Sequence, residues 1–199
     1  TGFDPEDRNN LRRRLVDVRL NQGLVLVQRE DYGAAEKLLE PTLDATLDLH
    51  KLNDEDTTLK RDIAEIHNLL GQIKMESDAT DARFPEALRQ SENHFKDSIH
   101  WLELIERHAE GREKREVLRD LGRSHGYLGD LQLLEGNVSK AERSYKDSEE
   151  LRRDLYDVNH LDAEFRFQYA RGLCNIALLE RDYIGDQQKA IEYLTQTES

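Results

Sequence analysis

Gly23 is followed twelve residues later by Ala35, and Gly129 twelve residues later by Ala141, with a short polar turn between the members of each pair. After each second member the chain continues with a matching i, i+4, i+7 triplet: Ala35-Leu39-Thr42, Ser91-Phe95-Ser98, Ala141-Tyr145-Ser148 and Ala190-Leu194-Thr197. Residues at that spacing share one face of a helix. The copies predict one helical hairpin used four times, paired as Gly23/Ala35, Gly71/Ser91, Gly129/Ala141 and Ala177/Ala190. The approximate units are 4–52, 53–111, 112–158 and 159–199, within a single repeat domain over 1–199.

Helical periodicity recurs throughout. Leu11, Leu15, Val18 and Val25 form an apolar stripe after an Asp4-Pro5 helix start, and Leu59, Ile63, Ile66, Leu70 and Ile73 form the next. Glu30 to Gly33 is expected as the first turn, and Pro41, inside the second helix, is expected to bend it near Leu38. Twenty residues separate Gly71 from Ser91, the excess lying in the polar run 77–82. Gly111 is expected to end the fourth helix, and the last turn, at Tyr183 to Asp186, carries one extra residue. No segment alternates like a strand. The expected fold is all-α, with eight helices in four hairpins.

The chain is 37% hydrophobic and 36% charged, a ratio that suits an elongated stack of two-layer hairpins better than a globule with a deep centre. Its net charge of −13 repels phosphate backbones and anionic membranes, so neither nucleic acid nor membrane is an expected partner. Cys174 has no second cysteine to pair with, which fits a reducing, cytoplasmic setting. No apolar run is long enough to span a bilayer. The absence of an initiator Met and the ending at Ser199 point to a piece of a larger protein.

Gly136 to Tyr145, preceded by Tyr127-Leu128-Gly129, resembles a tetratricopeptide repeat. Leu118 to His125 through Leu155 is similar to the repeats of about 50 residues found in large bacterial signalling proteins. The resemblance implies a right-handed superhelical stack of antiparallel hairpins, an α-solenoid, whose concave face is lined by first helices and holds extended peptides. It implies a protein-interaction or sensing module, not an enzyme, without cofactor or metal. The alternative is a structural spacer or oligomerisation arm whose groove packs on a neighbouring domain. The lysine and asparagine clamp that some members use for a terminal carboxylate is not matched, because Leu20 and Leu24 stand there.

Alignment on the small residues puts Asn68, Gln72, Met75, Arg123, Asp130 and Arg171 on the expected groove, where Asn68 and Gln72 suit a peptide backbone. Arg115, Arg119 and Arg123 recur at i, i+4, i+8 as a basic stripe in an acidic chain. Such a stripe either pairs with acids on neighbouring helices or contacts an acidic segment of a partner. Gly122, Gly126 and Gly129 lie within two turns of one helix, at a cost of roughly 1 kcal/mol each relative to alanine, and close contact with the adjacent helix is the expected compensation. His94, His100 and His108 do not share one tight face, so no metal site is expected. Trp101 is expected to pack between repeats.

Overall fold

The computed structural model describes residues 4–76 and 84–196, with the backbone alone at Pro5. Among them are eight α-helices and no strand: α1 (Pro5–Gln28), α2 (Tyr32–His50), α3 (Thr57–Met75), α4 (Phe84–Glu106), α5 (Gly111–Leu134), α6 (Val138–Val158), α7 (Ala163–Leu179) and α8 (Gln187–Thr195). The chain forms two compact units, 1–105 and 106–199. Within each unit, successive helices pack on one another.

Short aspartates start most of the helices. Asp31, Asp56, Asp162 and Asp186 each accept a backbone N–H from the first turn of α2, α3, α7 and α8. In unit 1 Asp56 has a second role, because Arg13 of α1 reaches it at 3.1 Å and Asp62 of α3 at 3.2 Å. Burial outweighs the arginine at Asp62 and pushes its carboxyl up to about 6.

The triplets form the centre of each hairpin. All nine triplet residues of the first three copies are buried, none more than 4% exposed. Opposite each middle residue stands the small residue of the first helix. A Cβ built on Gly23 would lie 2.4 Å from Leu39, on Gly71 2.6 Å from Phe95, and on Gly129 2.6 Å from Tyr145. Anything larger than glycine must displace the partner.

Several boundaries differ from the sequence expectation. α4 stops at Glu106, and Gly111 opens α5 with φ +54° instead of ending the preceding helix. Gly33 lies inside the first turn of α2; the left-handed residue of that turn is Glu30, at φ 61°. Glu30 occupies the position of Gly136, at φ 74° in the third hairpin. Pro41 lies inside α2, where the sequence places it. Just after it, the Thr42 and Thr46 hydroxyls donate back to the Leu38 and Thr42 carbonyls, each at 2.7 Å. The extra residue of the fourth hairpin is absorbed by a π-helical turn, Glu180–Ile184, which loops out one residue before Gly185 turns left-handed at φ 83°. The polar run 77–82, like Thr197, lies outside the described residues.

The apolar stripe Leu11, Leu15, Val18 and Val25 is left uncovered in the fold, its residues 62, 47, 53 and 47% exposed. α1 is apolar on two sides, and its packed side carries Val16, Leu20, Gly23 and Val27 instead.

Candidate functional site

Three glycines on α5 face three side chains on α6. The helices run antiparallel, so Gly129, Gly126 and Gly122 meet Tyr145, Ser148 and Arg152 in that order. The Cβ positions of Gly122 and Gly126 lie 3.2 Å from Arg152 Cγ and 3.3 Å from Arg152 Nη2. Gly172 of α7 closes the third side, its Cβ position 3.3 Å from Arg152 Cδ and 3.2 Å from the Glu149 backbone. Contact with the adjacent helix is thus made through side chains that the glycines admit. Arg152 is the bulkiest of them and is 1% exposed.

A guanidinium in that place needs acceptors, and it has few. Nη2 donates to the Gly122 carbonyl at 3.2 Å, an oxygen that also accepts Ser148 Oγ at 2.5 Å. Nε and Nη1 have no hydrogen-bond partner among the described residues. Burial, then the charge of Arg171, pushes the Arg152 pKa down to about 10, against the pull of Asp130. The group therefore stays charged at neutral pH.

Asp130 is engaged elsewhere. It accepts the Tyr145 hydroxyl at 2.6 Å, and burial pushes its carboxyl upward. Burial first, and Asp130 second, pushes the Tyr145 hydroxyl upward as well. Arg171, on α7, is exposed. Unit 2 therefore carries a buried guanidinium with open hydrogen-bonding capacity, a half-buried carboxyl held by a tyrosine, and an exposed arginine whose charge acts on both.

The other sequence candidates are placed differently. Arg119 and Arg123 gather around one carboxylate oxygen of Asp120, at 3.2 and 3.5 Å; Asp120 is on their own helix and is itself buried. Arg115 is half-buried. In unit 1, Asn68 is 1% exposed, which corrects its placement on an open face. Gln72 donates to the Asn68 carbonyl within the same helix at 3.2 Å, and Met75 is half-buried. Trp101 of α4 meets His50 of α2 edge-on, ring centroids 4.9 Å apart, within unit 1.

Histidine was considered in sequence as His94, His100 and His108, but the pair the fold makes is His67 with His94. Their Nδ1 atoms are 3.0 Å apart, so one ring donates and the other, neutral, accepts. Burial pushes each pKa down to about 4. Among the described residues no three His, Cys, Asp or Glu side chains are grouped to hold a metal ion.

Arg152 and Tyr145 were not singled out as functional residues in the sequence. A signal was nonetheless present: Gly122 and Gly126 empty one face of α5, and Arg152, eleven residues after Ala141, falls where Thr46 and Leu102 fall in the first two hairpins.

No protein-family model matches the chain, and no curated protein matches it. By its described elements it is an all-α protein of antiparallel helical hairpins. No described helix is long and apolar enough to cross a membrane.

Proposed function

We propose that the chain is a tetratricopeptide-type module within a larger signalling protein, and that its first helices present a binding face for an extended, acidic segment of a partner protein. The observation that carries this reading is the cation pair of unit 2. Arg152 is buried with two nitrogen atoms lacking acceptors, and the exposed Arg171 stands on the next first helix, in a chain of net charge −13. A buried charge without a direct counter-ion is costly in an isolated fold and favours an incoming carboxylate. Arg171 supplies the solvent-side contact, and Arg152 strengthens the potential behind it.

Arg119 and Arg123 play a smaller part here than the bare stripe suggests, because Asp120 already neutralises part of their charge. The test is fluorescence anisotropy with a labelled extended peptide rich in Glu and Asp, beside its Gln and Asn counterpart. The acidic peptide is expected to bind, with an affinity that falls as salt rises. Arg171→Glu should weaken it by at least about tenfold, roughly 1.4 kcal/mol, without lowering the melting temperature. Equal binding of both peptides, or binding indifferent to Arg171, contradicts the reading.

A further inference from the structure

The repeat register identifies what the exposed face of α1 is shaped to receive. Counted from the small residue of each first helix, Leu11, Leu15, Val18 and Val25 stand where Leu59, Ile63, Ile66 and Ile73 stand in α3. In α3 these four are at most 5% exposed. Ile66 and Ile73 cluster with Ala35 and Leu39 of α2, and Leu59 with Leu49 of α2. Unit 2 repeats the relation: Leu179 of α7, at the position of Ile73, is buried with Ala141 and Tyr145 of α6. This side of a first helix is thus the seat for a hairpin's second helix. On α1 the seat is open, with a cavity of about 560 Å³ lined by Val18, Val25, Leu26 and Leu38 among others.

The chain also carries a second helix with its matching side open. Leu194 of α8 stands where Leu39 stands in α2, yet it is 44% exposed where Leu39 is 0%. Ile191, 58% exposed, stands where Glu36 stands. Glu36 pairs with Lys74 of α3, and the position of Lys74 on α1 is Leu26. Where α2 and α3 match charge with charge, both open faces carry aliphatic groups. The wider charge also matches: α1 holds five arginines against three acids, and residues 180–196 hold four acids against two bases.

We propose that α8 of one copy docks on α1 of a second copy, with Leu194 against Val18 and Val25 and Ile191 against Leu26. The donating patch differs from the receiving patch, so a pair keeps one of each open, α1 on one copy and α8 on the other, and association can continue. The buried aliphatic surface drives the contact, and the opposed charges orient it.

Sedimentation of the full chain tests this. The weight-average mass is expected to rise above the 23.2 kDa monomer with increasing concentration. Val18→Glu and Leu194→Glu should each abolish the rise while leaving the helical circular dichroism intact. Mixed together, they should form a particle of two chains that grows no further, because one variant keeps its α8 and the other its α1. Val18→Ser and Leu194→Ser, which add no charge, should weaken association by at least about tenfold. A chain that remains monomeric into the millimolar range overturns the proposal. So does association that survives both glutamate variants, or a mixture of them that stays monomeric.

Discussion

The first and third hairpins share one register and fill it in opposite ways. In the third, glycines at 122 and 126 on the first helix admit Arg152 and Ser148 from the second. In the first, the equivalent residues are Val16 and Leu20 on the first helix and Thr46 and Thr42 on the second. Volume has moved from one helix to the other while the small-residue contacts, Gly23 on Leu39 and Gly129 on Tyr145, keep their geometry. The interior tolerates this exchange because it constrains total volume at each level more strictly than the source of that volume. It does not tolerate the exchange electrostatically for free, since the larger partner in unit 2 carries a charge.

The largest expected effects break the feature that the hairpins share. Gly129→Leu and Gly23→Leu should each cost about 4 kcal/mol or more, because the added side chain collides with a buried ring or isobutyl group at the first carbon. Gly111→Leu, where nothing lies within 4 Å but φ is +54°, should cost only about 1–2 kcal/mol. Thermal and denaturant melts that rank them the other way would contradict the placement of the repeat.

Next are changes to what differs between the hairpins. Arg152→Ala should cost about 2–3 kcal/mol by leaving a cavity among three glycines, whereas Arg152→Met, which fills the space without a charge, should cost less or stabilise. If methionine costs as much as alanine, the guanidinium is better satisfied than its hydrogen bonds indicate. Reversing Arg119 and Arg123 to Glu should destabilise unit 2 by about 2 kcal/mol, because two added acids would then crowd the buried carboxylate of Asp120. A melt left unchanged by that double reversal would return the stripe to the list of partner contacts.

Acid should separate the two units. In an unfolded chain His67 and His94 take up protons near their ordinary value of 6.5, but in the fold only near 4. Their contribution to stability is therefore complete above pH 6.5 and is lost as pH falls towards 4, by up to about 1.4 kcal/mol per pH unit for each proton. Asp62, raised to about 6, works in the opposite direction over part of this window, so Asp62→Asn should steepen the loss. In unit 2 the raised carboxyls of Asp130 and Glu149 gain stability on acidification. Hydrogen exchange, corrected for its intrinsic pH dependence, should show protection fading first in α3 and α4. Fading first in α5 and α6 would reverse the assignment.

The smallest expected effect concerns the turns. Glu30→Gly should stabilise the first hairpin by about 0.5–1 kcal/mol, since it gives a left-handed position the residue that the third hairpin has at 136. Gly136→Ala should lose a similar amount in the third. Equal melting temperatures for both variants would show that the two turns are not equivalent.

The spacing of small residues made the helices and their pairing legible before any coordinates, because a glycine opposite a large residue is a local and periodic signal. The extra residue of the last turn was also visible, though not its accommodation as a π-helical turn, since a one-residue insertion can be taken up by loop or helix alike. The exposure of the α1 stripe was not legible. Leu11, Leu15, Val18 and Val25 have the same pattern as the buried residues of α3, and periodicity reports that a face is apolar without reporting whether anything covers it. Burial of Asn68 and Arg152 escaped for a related reason: a polar side chain on a packed face looks like a solvated one until its neighbours are known.

The most direct test of the hairpin lock is a double-mutant cycle on Gly129 and Tyr145, read by denaturant unfolding. In the native background Gly129→Ala should destabilise, because its Cβ would fall 2.6 Å from the Tyr145 ring. In a Tyr145→Ala background the same change should stabilise by about 1 kcal/mol, since the space is then free and alanine is the better helix former. A reversal of sign is the result this account predicts. Two effects of the same sign and size, whichever residue stands at 145, would contradict it.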